Sequence, residues 1–175
     1  VYSPIHRIGK TQYALQLAKE FAKKGNTLYL NLEAYAGRQE GEEETGGLTE
    51  ILYYLRQGCK NMGIRLETLV KHEEAVDYLV PIEMYQDLKS VTEEEWKQLL
   101  TEIAEKSIYE TVVLDIGDAI RGTYGILELC SCIYTPVVQE ETAQRKLEQY
   151  RHNLTVMGLD CVLEKTIFVE GRELL

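Results

Sequence analysis

One stretch carries the densest chemistry in the chain: Ser3-Pro4-Ile5-His6-Arg7-Ile8-Gly9-Lys10-Thr11. It lies between the tail of a strand and an amphipathic helix. In that setting loop N–H groups and the helix N-terminus together hold an anion such as phosphate. Gly9 lets the backbone approach closely. Lys10 would reach the β- and γ-phosphates of a nucleotide, and the Thr11 hydroxyl would ligate Mg²⁺. The expected nucleotide contacts are therefore Ile8, Gly9, Lys10, Thr11 and Gln12. The phosphate-loop pattern G-x-x-x-x-G-K-[ST] has a glycine where this chain has Pro4, and the plain alternative is an ordinary helix start at Thr11.

Two further segments suit the same ligand. Val112-Val113-Leu114-Asp115 is an apolar strand ending in a carboxylate, the Walker B arrangement. Its aspartate would hold Mg²⁺ through water beside Thr11; the alternative is a residue that merely ends a strand. Leu28-Tyr29-Leu30-Asn31-Leu32-Glu33 is a strand with polar groups at its carboxyl end, the end that forms the ligand crevice of a parallel sheet. Lys10 and Asp115 are the catalytic candidates that these segments offer.

Strands and helices alternate around these groups. Residues 1–3 read as the tail of a strand, 11–24 as a helix ended by Gly25-Asn26, and 27–33 as a strand. Residues 38–50 hold five Glu against one Arg and read as a solvated loop closed by Gly46-Gly47. A helix follows over 49–57, with Gly58 placed as a left-handed cap. Residues 61–75 are ambiguous, and 76–81 read as a short buried strand. Thr92 and Glu95 form a capping box that opens a helix with Trp96, Leu99, Leu100 and Ile103 on one face. Strands are expected over 109–115, 131–138 and 161–169, with a helix over 140–157. The fold class is α/β: a three-layer, P-loop NTPase-like arrangement, a mostly parallel sheet with helices on both faces.

Composition bounds the function. The 175 residues make about one domain, and 45% hydrophobic residues suffice for a core. Nineteen Lys and Arg against 29 Asp and Glu give a net charge of −10, which speaks against nonspecific DNA binding through a broad basic face. No apolar run approaches the roughly 20 residues that cross a bilayer. Cys59, Cys130, Cys132 and Cys161 form no C-x-x-C pair and read as reduced core cysteines of a cytoplasmic protein, with Cys130 and Cys132 on the same side of a strand. His6, His72 and His152 have no metal-ligand spacing.

The order of these segments resembles the ParA/MinD-type ATPases with a deviant Walker A motif, including their CpaE-like branch. The family pattern is a strand, then K-G-G-x-G-K-[ST]-T, a helix, a strand ending D-x-D, and later an apolar strand ending in Asp. Residues 1–37 and 109–150 carry the likeness. It implies that Lys10 is the phosphate-loop lysine, Thr11 the Mg²⁺ ligand and Asp115 the Walker B carboxylate. Asn31 and Glu33 fall on the two aspartates of D-x-D, and Asp118 falls in the segment matching switch II. In the family the first of these aspartates helps arrange the attacking water, so the resemblance adds Asn31 to Lys10 and Asp115 as the expected catalytic set, although Asn31 can hydrogen-bond water but cannot act as a base. Ile5 stands where the family has its signature lysine, which reaches across a dimer to the partner's phosphates. His6 and Arg7 replace two glycines, and Gln12 replaces the second threonine. Arg7 could restore a charge near the phosphates or point into solvent. The chain thus looks like a degenerate member.

The resemblance implies an ATP-binding, dimerising positioning or regulatory switch with weak or lost hydrolysis, cycling between ATP and ADP. The competing readings are a pseudo-ATPase interaction module and, last, a P-loop kinase or synthetase for a small metabolite, which should show a cluster of substrate-side arginines. A protein partner is expected; the 38–50 run and the Tyr53-Tyr54 pair are candidates for its contact. The closing VEGRELL is short and without a basic face, so the basic amphipathic C-terminal helix of membrane-bound family members is not expected from it. Because such a phosphate-loop strand normally begins several residues before its loop, residues 1–175 are expected to be one domain of a longer chain.

Overall fold

The computed structural model describes residues 1–37 and 46–170. Most of the acidic 38–50 run and the last five residues therefore lie outside the described residues. In chain order the elements are α1 (Lys10–Ala22), β1 (Thr27–Leu32), α2 (Leu48–Arg56), α3 (Met62–Leu69), β2 (Lys71–Glu73), β3 (Val76–Tyr78) and α4 (Tyr85–Ser90). They continue as α5 (Glu93–Lys106), β4 (Thr111–Ile116), α6 (Thr123–Leu129), β5 (Ile133–Val137), α7 (Glu141–Val156), α8 (Asp160–Glu164) and β6 (Thr166–Glu170).

Four strands pair in the order β2-β3-β1-β4, and β5 pairs with β6. Among the described residues the β1–β3, β1–β4 and β5–β6 pairs are parallel and the β2–β3 pair is antiparallel. Residues 1–3 join the two groups. The Val1 nitrogen donates to the Leu114 carbonyl, the Ile116 N–H donates to the Val1 carbonyl at 3.0 Å, and the Tyr2 N–H donates to the Tyr134 carbonyl at 3.1 Å. The phosphate-loop segment thus leaves the sheet between β4 and β5.

Alternation along each strand sorts side chains between two faces. Leu28, Leu30 and Leu32 of β1 and Leu114 and Ile116 of β4 enter the main core, with Ile51, Leu66, Trp96, Leu99 and Leu154 from the helices on that side. Tyr29 and Val113 turn to the other face, where Ala14 and Ala18 of α1 cover them. Because β1 and β4 pair with Asn31 opposite Asp115, the same alternation puts Tyr29, Asn31 and Asp115 on the face that α1 covers.

From residue 10 onward most expected elements hold with small shifts, whereas residues 1–3, expected as a strand tail, touch β4 and β5 through single hydrogen bonds without forming a regular strand; the other differences have local causes. The 61–75 stretch resolves into α3 and β2. The 161–169 strand is instead the short helix α8 followed by β6, so Cys161 is exposed on a helix. Cys130 follows α6 and β5 begins only at Ile133, so Cys130 and Cys132 do not share a strand face; Cys132 is exposed and is not a core residue. The capping box is present, with Glu95 N–H donating to Thr92 Oγ1 at 3.2 Å and Thr92 N–H to Glu95 Oε2 at 2.8 Å. Gly58 has φ +65°, the left-handed cap anticipated after α2. Tyr53 is exposed, while Tyr54 is half-buried and donates to Glu50 Oε1 at 2.8 Å. No helix among the described residues is long and apolar enough to cross a membrane.

Candidate functional site

The loop over residues 4–9 turns through two left-handed positions, Arg7 at φ +59° and Gly9 at φ +77°. Glycine adopts that region freely, whereas a side chain with a Cβ is strained in it. Arg7 therefore keeps a glycine-like conformation without a glycine. Its side chain is exposed. Gly9 sits at the N-cap of α1, and no side chain caps the helix there. An uncapped N-terminus leaves N–H donors and the positive end of the helix dipole facing the loop.

Lys10, the first residue of α1, reaches the ends of both central strands. Its ammonium donates to Glu33 Oε1, to Asp115 Oδ1 at 3.0 Å and to the Ile116 carbonyl at 2.7 Å. Asp115 is fully buried, and its second oxygen accepts the Tyr29 hydroxyl at 3.3 Å. Burial, then the charge of Asp115, holds the Tyr29 phenol well above its usual range, so this group stays a donor. Asn31 Oδ1 accepts the Glu33 N–H at 2.9 Å and fixes the turn that presents Glu33. Across the mouth, His6 Nε2 lies 3.2 Å from Asp118 Oδ2, linking the loop to the segment after β4.

A cleft of about 660 Å³ opens over the loop. All five expected contacts, Ile8, Gly9, Lys10, Thr11 and Gln12, line it, facing Glu33, Gly117 and Asp118. Lys10 and Asp115, expected at the phosphates and at the metal, contact each other directly. Asn31 lines a neighbouring cavity of about 210 Å³ with Tyr29, and Thr11 borders both spaces. Ile5 is buried in the main core. Sequence reasoning missed Tyr29 and the Ile116 carbonyl. The available signal for Tyr29 was its place two residues before Asn31, hence on the same strand face.

Among the described residues no group of three or more His, Cys, Asp or Glu could hold a metal ion. The donors present fit Mg²⁺ in a different way. A hydroxyl (Thr11) and a carboxylate (Asp115) are hard oxygen ligands of the kind that supplement phosphates and water around this ion. Thr11 and, through water, Asp115 would hold such an ion, provided Lys10 released the carboxylate it now contacts.

No protein-family model matches the chain, and no curated protein matches it. Solved structures do. A ParA family ATPase from Chlorobium tepidum TLS superposes with a TM-score of 0.73 at 15% identity, covering 96% of this chain and 70% of that one. The MinC:MinD cell division protein complex of Aquifex aeolicus gives 0.66 at 15%, covering 96% and 65%. An ATP complex of a Cyanothece McdA variant gives 0.64 at 10%, covering 97% and 67%. At these identities the likeness is one of fold: the chain has the α/β, mostly parallel architecture of the ParA/MinD ATPases. It spans about two thirds of the length of these structures.

Proposed function

We propose that this chain is a ParA/MinD-type nucleotide-binding domain of the degenerate, CpaE-like kind, a cytoplasmic positioning or regulatory switch that binds ATP and turns it over slowly or not at all. The observation that carries the reading is the Gly9–Lys10 geometry. An uncapped helix start follows a left-handed glycine, and its lysine lies 3.0 Å from a buried carboxylate at the end of a central strand. The fold neighbours support it: one is an ATPase, one was solved with ATP, and one is a complex of two cell-division proteins.

In this reading the N–H groups of residues 8–12 cradle phosphates, Lys10 moves onto them, and Thr11 with Asp115 holds Mg²⁺. The bound ion would neutralise phosphate charge. Asn31 orients water and takes no proton from it, and its Oδ1 is already engaged by Glu33 N–H. Both facts favour slow turnover. A protein partner and an ATP-dependent homodimer complete the proposal.

The second reading, a pseudo-ATPase interaction module, is favoured by Ile5. It stands at the position that the resemblance assigns to the cross-dimer lysine, and it is packed into the core. Calorimetric titration of ATP with Mg²⁺ separates the cases. Binding lost in Lys10→Ala, with the fold intact by circular dichroism, supports the nucleotide reading; millimolar or weaker binding that the substitution leaves unchanged ends it. Turnover abolished by Asp115→Ala would end the pseudo-ATPase reading. Light scattering with and without ATP tests dimerisation.

A further inference from the structure

We infer that Glu33 determines the specificity of this cleft, making it select metal-complexed phosphates over free ones by competing for Lys10; the inference rests on the nucleotide reading above. An ammonium has three N–H donors. Those of Lys10 are taken by Glu33 Oε1, Asp115 Oδ1 and the Ile116 carbonyl. One cation therefore already serves two carboxylates, and a free polyphosphate arrives at a lysine whose surroundings carry a net negative charge.

Taking Lys10 away has a further consequence. Asp115 is fully buried, and its remaining hydrogen-bond partner among the described residues is the neutral Tyr29 hydroxyl. A buried carboxylate without a cation is strongly disfavoured. Thr11 and, through water, Asp115 would hold a divalent cation that came with the phosphates, and its charge would offset Asp115 and Glu33 as Lys10 turned to the phosphate oxygens. Free anion and free metal each face half of the exchange alone, so their binding is coupled.

Glu33 is held in place by more than its charge. Its N–H is fixed by Asn31 Oδ1 at 2.9 Å. Opposite it, Gly117 leaves the room: a Cβ there would lie 2.6 Å from Glu33 Oε2 and 3.0 Å from the Leu32 carbonyl. The pairing of Leu32 with Ile116 places these two residues side by side at the ends of the strands.

The test is calorimetric titration of tripolyphosphate and of ATP, each with Mg²⁺ or with EDTA, into the wild-type chain and Glu33→Gln, with folding checked by thermal melting. Glu33→Gln keeps the size of the side chain and removes its charge. The wild type is expected to bind at least about tenfold more tightly with Mg²⁺, on the order of one screened charge interaction. Glu33→Gln is expected to bind metal-free tripolyphosphate about tenfold more tightly than the wild type, so that its Mg²⁺ dependence is clearly smaller than the wild type's while the part that Asp115 causes remains. Equal Mg²⁺ dependence in the two proteins overturns the role of Glu33 and leaves the nucleotide reading standing. Binding in neither protein under any condition overturns the nucleotide reading and this inference with it.

Discussion

Replacing Lys10 by methionine tests the charge logic of the site without any ligand. The substitution keeps most of the apolar stem and removes the ammonium. Glu33 is partly open to solvent, with 28% of its side chain exposed, and can rehydrate. Asp115 cannot, since none of its side chain is exposed, and it is left with the Tyr29 hydroxyl at 3.3 Å. Removing one partner of a buried pair typically costs about 3–5 kcal/mol. Lys10 itself is 14% exposed, which places the expected loss at the low end, about 3 kcal/mol. For a domain of this size that lowers the melting temperature by roughly 8 °C. Adding Asp115→Asn removes the stranded charge, so the double variant should recover about 2 kcal/mol relative to Lys10→Met, the non-additivity expected of residues in contact. Urea unfolding followed by circular dichroism, near neutral pH and without nucleotide, measures both quantities. A loss below about 0.5 kcal/mol in Lys10→Met, or a double variant no more stable than the single one, would refute the claim that the lysine serves as counter-ion to a buried carboxylate.

Arg7 holds a left-handed backbone at φ +59°. Arg7→Gly should relieve about 1–2 kcal/mol of strain, partly offset by the entropy of the unfolded glycine, for a net gain near 0.5 kcal/mol in chemical unfolding; a net loss contradicts this. Thr92→Ala removes one half of the capping box at the start of α5 and should cost about 1 kcal/mol, or a melting temperature lower by about 3 °C. Burial, with Asp118 adding to it, pushes the Tyr2 phenol up to about 12, and burial raises Tyr150 as well. Groups raised in the folded state stabilise it fully below the ordinary tyrosine value of about 10, and that stability is lost as the pH climbs toward the raised value. Ultraviolet absorbance of tyrosinate should therefore lag behind a normal titration and complete only with the loss of the circular dichroism signal. A normal midpoint for every tyrosine in the intact fold would count against the burial argument.

The parts of the fold legible in the sequence are those whose signal repeats over several turns or strand residues. α5 shows both its capping box and its apolar face, and β1 and β4 show continuous apolar runs that fit central strands. α4, α6 and α8 span six, seven and five residues, too few for a helical period to register. Where α8 runs into the β-branched and aromatic Thr166-Ile167-Phe168-Val169, composition alone favours one longer strand. The site divides in the same way. Lys10, Thr11 and Asp115 are readable because each has a motif context. The partners of Lys10 depend instead on which faces β1 and β4 turn to α1, and on how their register aligns Asn31 with Asp115. Glu33 is visible in the sequence as a carboxylate at a strand end. That it meets Lys10 follows only from the loop after β1 and from the space left by Gly117. A motif names groups that can serve a phosphate. Here the same groups serve one another first, so the affinity of the cleft depends on how readily an incoming ligand replaces the interactions Lys10 already makes.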